Sequence, residues 1–253
     1  SAFAFFKNQF QDSGNITDPA KFYQNEKYAS YDPAGNLVFL KSSVKSIPQF
    51  VKREKGKDKK IRTADYMIDD YFSYQNDKII YTSRRYHPRW ISKSYNEIQI
   101  LDIKTGSQKT VTKRTRYFSP ALNESGDKII AVHSLTNGQV SLDMLDAGTG
   151  DVIKTYTYPE LINFYYPKFN HESIVTAVAN KEGKMSMAEI HIETGEISYL
   201  LPFSDNVIGF PLIRNDTLFF SISQKTNDEL MAITLPNKKL WKIGAPHMSS
   251  IGK

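Results

Sequence analysis

Tyr117-Phe118-Ser119-Pro120 opens one of five similar segments that recur along this chain of 253 residues. The other copies begin at Tyr28-Ala29-Ser30-Tyr31, Tyr71-Phe72-Ser73-Tyr74, Phe164-Tyr165-Tyr166-Pro167 and Ile208-Gly209-Phe210-Pro211. The fourth positions of successive copies are 43, 46, 47 and 44 residues apart. A period of this length is typical of a four-stranded propeller blade. The spacing therefore predicts an all-β repeat protein.

The third copy shows the repeated unit most clearly, over residues 116–160. A short apolar and aromatic run is followed by the β-branched run Lys128–Ser134, as expected for a strand buried on both faces. Val140–Asp146 alternates polar and apolar residues, and Val152–Tyr158 supplies a fourth strand. Three turn segments separate these strands: Asn123–Gly126, Thr136–Gly138 and Gly148–Gly150. Their glycines suit hairpin turns, because glycine adopts a positive φ at little cost.

The predicted blades cover about 28–64, 66–115, 116–160, 161–204 and 207–244. Because a four-stranded sheet cannot cover both of its faces alone, neighbouring blades must pack face to face. We therefore predict a β-propeller domain of four-stranded antiparallel blades over 28–253, either five-bladed or part of a six-bladed ring. Residues 1–27 do not match the repeat. They are expected to form a short N-terminal extension that is either irregular or helical over Thr17–Glu26.

The amino-acid composition limits the classes of protein to which this chain can belong. With 40% hydrophobic residues the chain can bury a large core, and no stretch approaches the roughly 20 apolar residues of a membrane-spanning helix. The absence of cysteine excludes disulfides, thiolate metal sites and a cysteine nucleophile. Since the chain starts at Ser1 and lacks a signal-peptide pattern, we expect it to be a segment of a longer protein.

The segment Tyr117–Val132, with the Asp-x-x-Thr-Gly turns at Asp102–Gly106 and Asp146–Gly150, resembles the WD40-like repeat of the TolB-type propellers. The same phrase is found in the propeller domains of dipeptidyl-peptidase-like and tricorn-like proteins. The first resemblance implies a periplasmic protein that binds protein partners. The second implies a propeller that gates or orients substrate for a separate α/β-hydrolase domain. This chain contains no G-x-S-x-G nucleophile elbow, so such a hydrolase would lie elsewhere in a longer protein.

Positive charge is concentrated in one part of the chain. Between Lys41 and Arg116 there are 19 Lys and Arg against 8 Asp and Glu, whereas the remainder has 14 against 19. One side of the propeller is therefore expected to be basic. The hairpin Lys52–Arg62 contributes to this charge, but it belongs to outer strands and is interpreted as a solvated rim.

The second repeat departs most from the common pattern, in an expanded connection over Thr82–Tyr95. In a propeller this connection shares a face with the link Lys113–Arg116 between blades. Guanidinium groups bind oxyanions through two parallel hydrogen bonds, and aromatic rings provide flat surfaces for stacking. We therefore predict a partner-binding surface formed by Arg84, Arg85, His87, Arg89, Trp90, Arg114 and Arg116. The alternative is that these side chains only pack and pair within their blade.

Acidic residues near blade junctions suggest a different function. Asp69 and Asp70 precede the inner strand of the second repeat, and Asp205 precedes that of the fifth. Five-bladed glycosidases place paired carboxylates around a central funnel, where one acts as acid and the other as base or nucleophile. Convergence of these carboxylates in space would be required, and sequence alone does not supply it.

Metal and cofactor sites are not predicted. The five histidines, His87, His133, His171, His191 and His247, form no H-E-x-x-H or similarly close ligand pair. The segment Asp146–Asp151 lacks the alternating oxygen ligands of a calcium loop and is interpreted as a turn. No cofactor motif occurs.

These observations favour a non-catalytic binding or scaffold module, periplasmic or extracellular, part of a larger cell-envelope protein. Its expected partner is an acidic protein segment or an anionic glycan or peptide, or another domain of the parent chain. Membrane insertion is not expected, and nucleic acid is a weak candidate because no recognition helix or RNP-like motif is present. A glycosidase-like propeller and a substrate-gating propeller of a peptidase are the alternatives.

Overall fold

A computed structural model describes residues 23–69, 71–90, 92–224 and 227–243, and these form twenty strands in five four-stranded antiparallel sheets. Blade 1 contains β1 (Gln24–Tyr31), β2 (Leu37–Ser43), β3 (Ser46–Glu54) and β4 (Lys57–Thr63). Blade 2 contains β5 (Phe72–Gln75), β6 (Lys78–Tyr86), β7 (Ser94–Asp102) and β8 (Gln108–Thr110). Blade 3 contains β9 (Tyr117–Leu122), β10 (Lys128–Ser134), β11 (Val140–Asp146) and β12 (Val152–Tyr156).

Blade 4 contains β13 (Ile162–Asn170), β14 (Ile174–Lys181), β15 (Lys184–His191) and β16 (Ile197–Tyr199). Blade 5 contains β17 (Val207–Arg214), β18 (Thr217–Ser223), β19 (Asp228–Thr234) and β20 (Lys239–Ile243). Within each sheet the strands follow sequence order, with the first strand innermost. The chain is a five-bladed β-propeller, so the predicted fold class is confirmed and five, not six, blades are present in the described ranges.

The prediction of a helix over Thr17–Glu26 is wrong for its last three residues, Gln24–Glu26. Residues 17–22 lie outside the described residues, but Gln24, Asn25 and Glu26 pair with Ser43, Ser42 and Lys41 in strand β1. Backbone pairing with β2 uses the groups that a helix would need. None of the described ranges contains a helix long and apolar enough to cross a membrane.

Apolar clusters between consecutive blades hold the ring together. Successive side chains of a strand point to opposite faces, so the consecutive residues Ile79 and Ile80 of β6 belong to different clusters. Ile79 packs with Val38 and Phe50 of blade 1, and Ile80 packs with Ile129 of blade 3. Two further clusters join blade 3 to blade 4 and blade 4 to blade 5. Burial on both faces explains the continuous apolar runs of the second strands.

The ring has two faces, which we call upper and lower. The upper face carries the starts of the inner strands, the connections between second and third strands, and the links between blades. The lower face carries the other two turns of each blade. On the lower side the Thr-Gly turns have the predicted positive φ, for example 69° at Gly106 and 82° at Gly150.

Strand register corrects the alignment of the first two repeats. In β9, β13 and β17 a bulge places Ser119, Tyr166 and Phe210, the third residues of their copies, at positive φ. The matching bulge in β1 is at Tyr28, the first residue of its copy. In blade 2, Ser73 pairs with Ile80 as Ala121 pairs with Ile130. Tyr28 and Tyr71 therefore correspond to Ser119, Tyr166 and Phe210. The alignment by sequence had matched Ser30 and Ser73 to these positions, two residues further along the chain.

Candidate functional site

The connection between β6 and β7 is a raised hairpin on the upper face. The two strands pair as far as Tyr86 and Ser94, so the loop comprises residues 87–93 rather than the longer segment Thr82–Tyr95 expected from sequence. The backbone N–H of His87 donates to the carbonyl of Lys93 at 2.9 Å, and that of Lys93 donates to Trp90 at 2.9 Å. These bonds fix the base of the loop and the turn at its tip.

Arg84 and Arg85 are consecutive residues of β6 and lie on opposite faces of the hairpin. Arg84 is half-buried, donates from Nη2 to Ser94 Oγ at 3.2 Å, and lies 5.1 Å from the ring centroid of Tyr86. Arg85 is exposed and lies 3.5 Å from Asp65 on the side of blade 1. The two guanidinium groups therefore do not form one surface.

The loop itself presents the most accessible side chains of the predicted surface. Trp90 is 65% exposed, and Arg89 is exposed beside it. His87 is half-buried, and its Nδ1 accepts a hydrogen bond from the backbone N–H of Arg89 at 3.2 Å. His87 thus orders the loop, whereas Arg89 and Trp90 are available for contact.

The link between blades 2 and 3 runs beside this hairpin, as expected. The N–H of Asn96 donates to the carbonyl of Thr115 at 2.8 Å, and Asn96 forms a parallel bridge with Arg116. Asn96 is itself the cross-strand partner of Arg84. Arg114 and Arg116 are both exposed, and the bridge places Arg116 beside Asn96, the partner of Arg84.

Exposed apolar side chains occur beside this basic region and elsewhere on the upper face, and they were not predicted from the sequence. Tyr66 is 61% exposed and Ile68 is 49% exposed in the link that precedes β5. The carbonyl of Tyr66 accepts a hydrogen bond from the N–H of Arg84 at 2.7 Å, which places Tyr66 directly beside β6. Other exposed apolar residues at the upper ends of the strands are Tyr23, Val44, Ile47, Tyr86, Leu161, Tyr165, Tyr199 and Val207. Tyr66, Ile68, Val44 and Leu161 lie in links or turns, where polar residues are usual, and this was the signal in the sequence.

The acidic candidates lie at different places. Asp69 lines a cavity of about 340 Å³ at the upper end of the channel, together with Ser119 and Tyr166. Its Oδ1 accepts a hydrogen bond from the N–H of Tyr71 at 3.2 Å. Asp205 is exposed in the link before β17. Asp70 lies outside the described residues.

Histidines of the described ranges occupy separate positions. The Nδ1 of His133 lies 2.8 Å from Asp143 Oδ2, which also accepts a hydrogen bond from the Tyr117 hydroxyl at 2.9 Å. Burial acts to raise the pKa of Asp143, but the hydrogen bonds from His133 and Tyr117 outweigh it and lower the pKa. His171 pairs with Asp216 on the lower face, His191 is exposed, and His247 lies outside the described residues. Across the described part of the chain, no group of three His, Asp or Glu side chains could hold a metal ion.

Comparison with known proteins supports the fold. No protein-family model matches the chain, and no curated protein matches it. TolB from Acinetobacter baumannii is similar with a TM-score of 0.64 and 14% identity, over 89% of this chain and 56% of that one. A prolyl endopeptidase gives a TM-score of 0.57 and 12% identity, over 89% of this chain and 36% of that one.

The propeller domain of the trilobed protease from Pyrococcus furiosus, described as having an open velcro topology, is also similar. Its TM-score is 0.50 at 12% identity, over 90% of this chain and 85% of that domain. The structural neighbours are thus TolB and peptidase propeller domains, as the repeat phrase predicted. At these identities the likeness shows the fold. The chain spans about half of the TolB structure and about a third of the endopeptidase.

Proposed function

We propose that this chain is a non-catalytic propeller module that binds an acidic protein segment through the upper surface of blade 2. We define that surface by Tyr66, Tyr86, Arg89, Trp90, Arg114 and Arg116. The observation that carries the proposal is the raised hairpin, which exposes 65% of Trp90 beside Arg89. Arg89, Arg114 and Arg116 form no salt bridge with any residue that the structure describes.

The chemistry of this surface suits such a partner. Each guanidinium presents a planar set of donors that matches a carboxylate, so hydrogen bonds and charge act together. Exposed tryptophan, tyrosine and arginine are also the residues that dominate binding energy at protein interfaces. The excess of positive charge between Lys41 and Arg116, 19 basic against 8 acidic residues, would speed the encounter with an acidic chain.

We further propose a periplasmic or extracellular location, because the repeat phrase resembles that of TolB-type propellers. A second candidate function is that of a propeller attached to a peptidase domain. It is favoured by the similarity to a prolyl endopeptidase of which this chain spans 36%. In that case the upper surface of blade 2 would contact another domain of the parent protein rather than a separate partner.

The proposal can be tested with poly-L-glutamate as the probe. We expect the triple variant Arg89→Gln/Arg114→Gln/Arg116→Gln to bind it at least about tenfold more weakly than the unaltered chain, since each charge-assisted hydrogen bond contributes about 1.5–3 kcal/mol. The matched control Lys57→Gln/Lys59→Gln/Lys60→Gln removes the same charge from the exposed rim of blade 1. Its affinity is expected to stay within about threefold. Equal losses of poly-L-glutamate affinity in the two variants would contradict the proposed surface. If the unaltered chain bound an anionic glycan more tightly than poly-L-glutamate, the proposal of an acidic protein partner would be wrong.

A further inference from the structure

Four aromatic side chains close the central channel. Tyr28, Tyr71, Tyr166 and Phe210 come from four inner strands or the residues just before them. Their ring centroids are 5.3 Å apart for Tyr28 and Tyr71, 5.0 Å for Tyr71 and Tyr166, 5.5 Å for Tyr166 and Phe210, and 5.9 Å for Phe210 and Tyr28. These contacts form a complete cycle around the axis. The fifth equivalent position holds Ser119.

A cavity of about 240 Å³ lies below this aromatic layer and is lined by all five inner strands. Four of its lining residues directly follow the bulge of their strands, and the fifth, Ser73, occupies the matching position of β5. These five are Ser30, Ser73, Ala121, Lys168 and Leu212. These five positions supply two hydroxyl groups and one amine, and most of the other lining side chains are aromatic or apolar. The cavity has room for several water molecules or a small organic acid.

Among the described residues that line this cavity, Lys168 is the only lysine or arginine. Its Nζ lies 2.7 Å from Ser73 Oγ and 5.0 Å from the ring centroid of Tyr71. Lys168 forms no salt bridge with any carboxylate of the described residues, and burial lowers its pKa to about 7. Lys168 is half-buried, and an ammonium that is partly removed from water without a counter-ion is costly, so an anion that entered the cavity would be stabilised there.

We propose that this cavity binds a small organic carboxylate, whose oxygens accept hydrogen bonds from Lys168 Nζ and Ser73 Oγ and whose apolar part contacts the aromatic layer. Leu212 and the ring of Phe210 supply apolar surface on the opposite side of the cavity. A mostly apolar pocket with a few convergent polar groups is the usual form of a small-molecule site. The site is separate from the upper surface of blade 2 and does not depend on its proposed function.

Binding of such an anion is linked to the protonation of Lys168. The anion binds the ammonium form of Lys168. Its affinity is therefore expected to fall once the pH rises above about 7, the pKa of Lys168 in the ligand-free chain. The other titratable groups that line the cavity are Tyr28, Tyr71 and Tyr74, and Tyr166 lies just above. Burial raises the pKa of Tyr71 and Tyr166, and raises that of Tyr74 to about 12. The residues that β9 and β17 contribute to the cavity lining have no titratable side chain.

Benzoate and its neutral analogue benzamide are suitable probes, measured by isothermal titration calorimetry. Benzoate should bind the unaltered chain at pH 6, and benzamide should bind at least about tenfold more weakly, because a charge-assisted hydrogen bond is lost. Between pH 8 and pH 9 the benzoate affinity should fall about tenfold. Lys168→Met should weaken benzoate binding at least about tenfold, whereas Lys59→Met, on the exposed rim, should not.

Ser73→Ala keeps the lysine and should weaken benzoate binding several-fold. Equal affinities for benzoate and benzamide would overturn the proposal, as would unchanged binding in Lys168→Met or a flat pH profile. The comparison of the two probes uses the unaltered chain, so it tests the proposal even if a variant does not fold. Poly-L-glutamate binding should be unchanged in Lys168→Met, which separates failure of this site from failure of the upper surface.

Discussion

Arg84 and Arg85 are neighbours in sequence, yet their guanidinium groups lie on opposite faces of strand β6. Arg84 hydrogen-bonds Ser94 and lies against Tyr86, whereas Arg85 lies 3.5 Å from the carboxylate of Asp65. Both are thus occupied within blade 2 or at its boundary with blade 1. The proposed contact with an acidic partner is therefore assigned to Arg89, Arg114 and Arg116, which are all exposed.

Single substitutions should separate these roles. We expect Arg85→Gln to change the affinity for poly-L-glutamate by less than about twofold, because Asp65 already neutralises much of its charge. Arg89→Gln should reduce the affinity about three- to tenfold, since its guanidinium is exposed at the tip of the hairpin. Titration of each variant at constant ionic strength provides the comparison. A larger loss in Arg85→Gln than in Arg89→Gln would reverse the assignment.

Two glycines in equivalent turns should differ sharply in their tolerance of alanine. Gly106 and Gly150 both have positive φ, but a Cβ at Gly106 meets no atom within 4 Å, whereas one at Gly150 would overlap the carbonyl oxygen of Val111. Gly106→Ala is expected to lower the free energy of unfolding by about 1–2 kcal/mol. Gly150→Ala adds an overpacking cost of about 1–3 kcal/mol. Urea denaturation measures both, and equal losses would show that the close approach of blades 2 and 3 is absent.

Asp32 should contribute to stability in acid. Burial acts to raise the pKa of its carboxyl, but hydrogen bonds from Asn36 and Lys52 outweigh it and lower the pKa to about 2. The unfolded chain therefore binds the proton first as the pH falls. The contribution is present above pH 4 and is lost between about pH 4 and pH 2.

Asp32→Asn keeps the turn hydrogen bonds to Ala34 and Asn36 but removes the ion pair with Lys52. It should lower the free energy of unfolding at pH 6 by about 1–2 kcal/mol, with the difference disappearing towards pH 2. Thermal melts across that range give the measurement. A difference that stays constant with pH would mean that the charge of Asp32 is irrelevant to folding.

Lys168 should destabilise the ligand-free chain. Its pKa is lowered to about 7, well below the ordinary value near 10.5, because its half-buried ammonium is partly removed from water. Between these values the unfolded chain binds more protons, so the stability of the unaltered protein gains from rising pH. Lys168→Met should therefore melt at a higher temperature at pH 7, by about 2–4 °C for each kcal/mol gained.

That advantage of Lys168→Met should shrink between pH 7 and pH 10, as the folded chain already carries a neutral amine there. Comparing the two proteins removes the effects of other groups that titrate in the same range. A variant that melts below the unaltered chain at pH 7 would show that the contacts of Lys168 with Ser73 and Tyr71 outweigh the cost of its burial.

The blades could be predicted because each repeat contains local signals. The β-branched run Lys128–Ser134 and the glycine turns at Gly106 and Gly150 specify strands and connections without reference to the rest of the chain. The register of the inner strands could not be read in the same way. The bulges at Tyr28 and Phe210 depend on pairing with the second strand, and Tyr28-Ala-Ser-Tyr31 imitates the pattern of a later copy two residues out of step.

The surface and the channel were predictable to different degrees. The prediction grouped Arg84 and Arg85 in one surface because the end of the strand at Tyr86 was not evident, whereas alternation along β6 puts them on opposite faces. The channel position of Lys168 had a weak signal, because it follows Pro167 where Ala121 and Leu212 follow the prolines of other copies. The closure of the aromatic layer arises from residues up to 182 positions apart, from Tyr28 to Phe210, so only the assembled ring reveals it.

The two tryptophans of the chain test most directly whether an acidic partner binds at the upper surface of blade 2. Trp90 is 65% exposed on the upper hairpin, and Trp241 is 38% exposed on the outer strand of blade 5. In Trp241→Phe, poly-L-glutamate should shift the emission of Trp90 to shorter wavelength and protect it from acrylamide quenching. In Trp90→Phe the emission of Trp241 should not change. Binding at the upper surface of blade 2 would be contradicted if saturating poly-L-glutamate changed only the emission of Trp241. In that case acrylamide would quench Trp90 as strongly as it does without the probe.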